Sequence, residues 1–519
     1  MNTLLNHEKR WLVLSVMCIV LFIISIDNTV LGLALPSISK GLGATAGQLQ
    51  WVVDSYTLVF AALLITTGSI GDRYGRKRSL LIGLALFGLG SLGAALSVTT
   101  NMLIGFRSLL GVAGALVMPS TLSILIDVFR DRKERAKAIA IWSSIFSIGA
   151  GIGPIIGGFL INSFNWSSVF YLNLPIVVIG LIGGYILVPE SRDSNAPKPD
   201  IPGVFLSIIG LVTLVYGMIR AGEYGWTSNI VLISFGIAAV FLTAFIWWEN
   251  HSSNPMLPLV FFKNMSFTGA NAALTISAFA MMGSMYFFSQ YFQSVQGYSP
   301  LTAALCMLPM TPAVFFSTMA SIRVDREFGT KPTMILGLFL SATGLFLFSQ
   351  FAGINTPYGY ILLVIITLGS GIGFTMSPAT NSVMSSLPPS RAGIGSAMND
   401  TTRQLGGALG VAVLGAIMNG IYRSEVNHLV GKNGLSEAML ESVRSSIQSA
   451  HMTAQTLGND IASVVIQTSS QAFVDGMKEA LLIGSIAMLV AAIVAGSILP
   501  GKEKVNKDTV LENKSFVEE

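Results

Sequence analysis

Three carboxylates stand inside otherwise apolar runs: Asp27 in "ISIDNTVLG", Asp54 in "WVVDSYTLV" and Asp400 in "SAMNDTTRQ". Hydrocarbon penalises an ionised side chain by several kcal/mol, so an acid kept there is functional by default. Burial favours the neutral acid and a neighbouring cation favours the ionised one, so such groups can exchange protons near neutral pH. Two arginines are placed to answer them, Arg107 in the run "LIGFRSLLG" and Arg403 one turn beyond Asp400 at i+3. Two readings stay open for Asp27 with Arg107 and for Asp400 with Arg403, a proton-exchanging site and a static ion pair. Asp27 lies about five helical turns beyond Lys9 and is expected in the far half of its span, and Asp54 a few residues inside the end of the next. Both are expected to line a vestibule. His7, His251, His428 and His451 are expected in termini or loops and offer no rival proton relay. Cys18 and Cys306 lie in apolar runs and read as core filler, without a disulfide or a metal cluster.

Such acids must be carried by elements that cross a membrane. The chain has 519 residues, 52% hydrophobic and 11% charged, with a mean hydropathy of +0.68. Soluble domains carry about 25% charged residues, so this is an integral membrane protein. Fourteen apolar runs reach spanning length, roughly 11–34, 51–70, 79–98, 102–126, 137–160, 169–188, 202–220, 229–248, 266–292, 300–322, 333–352, 358–384, 394–420 and 477–499. The first is too long for a signal peptide, carries Asp27 and lacks a small-residue cleavage site, so it is expected to remain as a span.

Lysine and arginine gather on alternate connections, in "HEKR", "DRYGRKR", "DVFRDRKERAK" and the terminal "GKEKVNKD". Positive charge marks the cytoplasmic side, which puts both termini inside and accounts for the net charge of +4 without a nucleic-acid partner. The long opposite loop, 421–476, shows helical spacing over 436–456 and 460–475 and is expected to form an outer helical hairpin. "GSIGDRYGRKRSL" (68–80) has a degraded counterpart in "SIRVDREFGTKPT" (321–333), the mark of an internal repeat. The expected domains are a six-helix bundle over 1–188, a linker with two inserted helices over 189–250, a second bundle over 266–499, and a cytoplasmic tail over 500–519. The linker opens on the Pro-rich, polar "PESRDSNAPKPDIP".

These residues carry a resemblance. The chain resembles the major facilitator superfamily, and within it the fourteen-span drug:proton antiporters of the QacA and SmvA type. "GSIGDRYGRKRS" resembles the superfamily's cytoplasmic signature through Gly68, Asp72, Arg73, Gly75 and Arg76. "SIDNTVLGLALP" and "LIGFRSLLGVAGA" resemble the first- and fourth-span motifs, with Leu110 where the family often has glutamine. "GAGIGPIIGG" (149–158) matches the antiporter motif in full, and "NWSSVFYLNLPI" resembles the family segment that succeeds that motif, with Ser167 in place of a frequent arginine. The resemblance implies an all-α major facilitator fold of fourteen transmembrane helices, two six-helix bundles plus two inserted ones.

Physics adds to each motif. Gly149, Gly153 and Gly157 form a smooth stripe on one helix face, along which a partner can approach almost backbone to backbone. The family analogy makes that partner the tenth span. Pro154 permits a bend, and Gly158 closes the motif. Asp72 is expected to pair with a base across the seam between halves. Span 9 brings Met285, Tyr286, Gln290 and Tyr291, adaptable and aromatic side chains suited to lipophilic cations.

The expected function is export of lipophilic cationic drugs, dyes and quaternary ammonium biocides in exchange for protons. The protein is read as a bacterial inner-membrane monomer, not an enzyme. It needs no cofactor, because no P-loop appears and the proton gradient supplies the energy. A proton-coupled nutrient symporter and the inner-membrane subunit of a tripartite pump remain alternatives.

Overall fold

In lipid, a backbone N–H or C=O without a partner costs several kcal/mol, and a helix satisfies both kinds within one segment. The computed structural model describes residues 7–129, 131–192, 199–253, 255, 257, 259–386, 392–427 and 435–500, and the regular structure among them is helical, with no strand. Helices α1 (His7–Leu42), α2 (Ala46–Tyr74), α3 (Arg76–Ala95), α4 (Thr100–Val128) and α5 (Arg132–Ser163) come first. A short α6 (Ser168–Tyr171) leads into α7 (Asn173–Leu187), and the inserted pair is α8 (Ile201–Tyr224) and α9 (Asn229–His251). There follow α10 (Met265–Gln290), α11 (Pro300–Met307), α12 (Met310–Phe328), α13 (Thr330–Phe351), α14 (Tyr358–Ser385) and α15 (Ala392–Val426). Two short helices, α16 (Glu437–Ser445) and α17 (Ile447–Ala454), precede the closing α18 (Asn459–Ile498). Thirteen stretches among the described residues are long and apolar enough to cross a membrane. The 32-residue α5 brings the number to the fourteen expected.

Local chemistry explains the boundaries. Thr45 starts α2 with a capping box, its hydroxyl accepting from the Gln48 N–H at 3.3 Å while the Gln48 side chain accepts from the Thr45 N–H at 3.0 Å. The two copies of the repeated loop turn in the same way. Gly75 (φ +127°) and Gly329 (φ +94°) both occupy the left-handed region, and their N–H groups close the preceding helices on Gly71 and Asp325.

Two compact units emerge. The first comprises Met1–Met256, Met285–Cys306 and Val411–Gly476; the second comprises Leu257–Ser284, Met307–Gly410 and Met477–Glu519. The division passes through α10 and α15 rather than falling between 188 and 266. The reason lies inside the first unit, where the ends of α10, α11 and α15 pack on α1, α2, α5 and α8. Gln293 Nε2 donates to the Leu33 carbonyl at 3.0 Å, a Cβ placed on Gly158 would fall 2.9 Å from the Leu301 Cα, and one on Gly222 would fall 2.6 Å from the Ala416 carbonyl oxygen. The residues expected in the tail, 501–519, and His428 lie outside those described.

The expected hairpin arms differ from the helices observed. Over 436–456 the chain is broken at Ser446, which is extended (φ −170°, ψ 160°) and caps α17 by accepting from the Ser449 N–H at 3.1 Å. The second arm is continuous with the last span in the 40-residue α18. The end of the first unit that carries α16 and α17, hereafter the hairpin end, is tied to α1 by Ser39 Oγ and Ser446 Oγ at 3.3 Å. Three histidines expected in termini or loops belong to helices. His7 begins α1, His251 ends α9, and His451 lies within α17, where a packed amphipathic turn was not visible from one polar residue.

His451 Nε2 lies 3.4 Å from Ser470 Oγ. Burial, and then the charge of Lys40, push the imidazole below its ordinary value of 6.5. The packed α17 therefore binds fewer protons than the loosened one, so its stability is full above about pH 6.5 and falls as pH drops below it. Amide hydrogen exchange in α17, corrected for intrinsic rates, should be faster at about pH 5.5 than at about pH 7.5, and His451→Gln should remove the difference. Equal protection at both pH values in the unaltered protein would contradict this.

Candidate functional site

Close helix contact builds the first part of the site. A Cβ at Gly111 would fall 2.6 Å from the Tyr56 carbonyl, so only glycine lets α4 lie this near α2. One turn earlier on α4, Arg107 is 1% exposed. Its Nε donates to the Val52 carbonyl at 3.1 Å and its Nη1 to Asp27 Oδ2 at 2.6 Å. The guanidinium lies 4.5 Å from the centre of the Tyr56 ring, and the Tyr56 hydroxyl accepts from Asn28 Nδ2 at 3.3 Å. Asn173, the first residue of α7, donates to Asp27 Oδ1 at 3.2 Å and to Ser91 Oγ at 2.9 Å. A buried ion pair is tolerated when further hydrogen bonds satisfy its remaining atoms, and this one has them from α1, α2, α4 and α7. Asn173 and Tyr56 escaped sequence reasoning, although a lone amide in an apolar run was the signal for the first.

Asp54 has the opposite surroundings. It is 0% exposed, and neither carboxylate oxygen has a hydrogen-bond partner. Tyr286 lies within electrostatic range, but its hydroxyl donates to the Ala46 carbonyl at 3.4 Å. One turn before Asp54, Gln50 Nε2 donates to the Val411 and Ala412 carbonyls at 3.1 and 3.4 Å. The expectation that Asp54 lines an open vestibule is corrected, because the side chain is fully buried.

Asp400 belongs to the second unit. Arg403 Nη2 donates to its Oδ1 at 2.9 Å, and the two side chains keep 18% and 28% of their exposure. The i+3 spacing accounts for the pair, which is wetter than that of Asp27.

In the motif loop, Arg76 Nε donates to Asp72 Oδ1 at 2.6 Å, so Asp72 is engaged at i+4 within its own motif. A Cβ on Gly68 would meet the Pro119 Cβ at 3.5 Å, an ordinary contact, and Arg73 is the basic residue of the last turn of α2. The glycine stripe also differs from expectation in its partner. Gly149 faces Ser25, Gly153 faces Thr29 and Gly157 faces Val30, all on α1, while Gly158 meets Pro300 and Leu301 at the start of the tenth span. The four-residue period matches α1 because α1 and α5 run side by side, and Gly158 points off the stripe. Pro154 sits in the interior of α5.

The span-9 candidates are spent on packing. Tyr286, Gln290 and Tyr291 are buried, Gln290 Oε1 accepts from Gln448 Nε2 at 3.3 Å, and the Tyr291 hydroxyl accepts from Gln296 Nε2 at 2.8 Å. Met285 is half-buried. A cavity of about 620 Å³ at the hairpin end is lined instead by Gly222, Glu223, Trp226, Ile417, Asn427 and Arg444 among others, and by none of the four. An aromatic, methionine-rich pattern suits a cargo wall and a tight helix contact equally, which is why sequence did not separate them.

Many apolar spans, a repeated loop and buried ionisable groups define a multi-pass membrane carrier. The Major Facilitator Superfamily profile matches residues 17–411, and the chain belongs to that superfamily. It is 36% identical over 495 residues to the multidrug efflux pump LfrA of Mycolicibacterium smegmatis, covering 95% of this chain and 97% of that protein. It is 31% identical to the methyl viologen resistance protein SmvA of Salmonella typhimurium, over 93% and 97% of the two chains. It is 30% identical to the tetracenomycin C resistance and export protein of Streptomyces glaucescens, over 94% and 91%. Among solved structures, the fold is similar to a bacterial homolog of the human lysosomal transporter Spinster in an inward-facing conformation, with a TM-score of 0.63 at 16% identity, over 95% and 97% of the chains. The xylose transporter XylE from E. coli gives 0.58 at 13%, over 96% and 99%.

Removing one partner of a buried pair strands the other charge, at a cost of about 3–5 kcal/mol. Asp27→Asn and Arg107→Met should each lower the melting temperature in detergent, and the double variant should recover much of the loss. Additive losses would show that the two charges do not depend on each other.

Proposed function

We propose that the chain is a proton-coupled antiporter that exports lipophilic cationic drugs, dyes and quaternary ammonium biocides, with Asp54 as the group that carries the proton. The observation behind this reading is the burial of both Asp54 oxygens without a donor. An ionised carboxylate there is uncompensated, while the neutral acid fits. Asp27 differs because Arg107 and Asn173 both donate to it, so its place is in a structural ion pair. The efflux and resistance functions named for the relatives support the direction of transport and the class of cargo.

The distribution of lysine and arginine supports a bacterial cytoplasmic membrane with both termini inside, which turns the hairpin end outward. The protein then works as a monomer, with no cofactor and with the proton gradient as its energy source. In the motif loop Gly68, Asp72, Arg73, Gly75 and Arg76 form the cytoplasmic gate. Asp400, paired yet partly exposed, is the counter-charge for a cation, which displaces Arg403 to reach it.

The roles separate by cargo. Asp54→Asn should stop gradient-driven export of every substrate alike, because an amide keeps the shape but cannot cycle a proton. Asp400→Asn should weaken dications more than monovalent cations, since each charge in a low-dielectric site needs an opposite charge. Resistance profiles normalised to membrane abundance decide it, and full coupling in Asp54→Asn would refute the assignment. Accumulation of the compounds in energised cells would instead favour a symporter.

A further inference from the structure

Ala46, Gln50 and Asp54 follow one another at four-residue intervals and share a face of α2. That face meets the ends of α10 and α15 within the first unit. The Ala46 carbonyl accepts from Tyr286, and the Gln50 amide enters the backbone of α15 at Val411 and Ala412. The seat exists because position 415 is glycine, and a Cβ there would collide with Gln50 Nε2. Gln50 Oε1 has no partner, so the amide is held by its donor side alone. A buried amide that did nothing would be a liability, since each unmade hydrogen bond costs about 1–3 kcal/mol.

We propose that Gln50 is a positioning residue for proton coupling, a latch whose amide docks in the Gly415 notch of α15 and so closes water off from Asp54 one turn below. This rests on the reading of Asp54 as the proton site. The latch can engage only when the Asp54 face is dry, and a dry Asp54 with no donor must be neutral. Closure of the hairpin end therefore takes up a proton, and falling pH favours the closed form. Among the charged groups on the helices around α2, Arg107 and Asp27, from α4 and α1, are paired with each other, and Glu223 of α8 stands against Gly47. Glu223 is paired with Arg220 on the same helix, Tyr216 of α8 packs near Trp51, and Tyr56 of α2 and Tyr286 of α10 are the other titratable side chains nearby; none of these groups hydrogen-bonds to Asp54. The docked amide adds favourable energy to the closed form alone. Losing it means that a higher proton activity is needed for closure, so the closing midpoint moves to lower pH.

The test uses the full chain in lipid nanodiscs, with spin labels at Asn101→Cys and Ser424→Cys, both exposed positions at the hairpin end, after Cys18 and Cys306 are replaced by alanine. The distance between labels should change from an open to a closed population as pH falls. Gln50→Leu should lower the midpoint by about one pH unit, the effect of one or two hydrogen bonds. Gly415→Ala, which fills the same seat from the other helix, should do likewise, and the double variant should be no worse than either alone. Asp54→Asn should abolish the pH dependence. If the Gln50→Leu and Gly415→Ala midpoints coincide with that of the unaltered protein while Asp54→Asn is pH-independent, the latch is wrong and the proton site stands. If Asp54→Asn titrates normally, the proton site itself is refuted, and the latch with it.

Discussion

A carboxyl group that is buried without a hydrogen-bond donor cannot hold a charge cheaply, and the arrangement around α2 depends on that constraint. The first unit treats two acids in two ways. Asp27 receives a guanidinium and an amide, each from a different helix. Asp54 receives nothing, although it lies on the next helix of the same unit. In the account proposed here the contrast divides the labour, with one acid organising the interior and the other responding to protons.

Both environments require helices to come closer than ordinary side chains allow. Apolar surface gives helices no reason to associate in lipid, so contact depends on small residues and shape. Gly111 admits Arg107 to the Val52 carbonyl, the stripe on α5 seats α1, and Gly415 receives Gln50. These glycines carry a helix-propensity cost of about 1 kcal/mol each in water. In a membrane span, where the backbone bonds are already made within the helix, the close packing they permit outweighs it.

Much of this was legible in the sequence. Long apolar runs gave the spans, because hydrocarbon leaves a lone segment little choice but helix. The repeated loop foretold that Gly75 and Gly329 would turn alike, and the pairing of Asp27 with Arg107 was among the readings left open. What stayed hidden was whatever depends on which helix lies beside which. Gln50 and Val411 are 361 positions apart, and a single glutamine near the start of a span reads as an interfacial residue. The glycine period showed that α5 has a smooth face without showing that α1 would fill it. Asp54 looked like a vestibule group because its neighbours in sequence do not include α10 or α15. Ser446 looked like any polar residue of an amphipathic helix until its cap on α17 and its contact with Ser39 were seen.

If Asp54 carries the proton, it is neutral when the hairpin end is closed. Infrared difference spectroscopy on the reconstituted protein observes this without relying on transport. A protonated-carboxyl stretch should be present near neutral pH, shifted by deuterium, absent from Asp54→Asn and retained in Asp400→Asn. A spectrum in which Asp54→Asn retains that band, with only carboxylate bands lost, would contradict it.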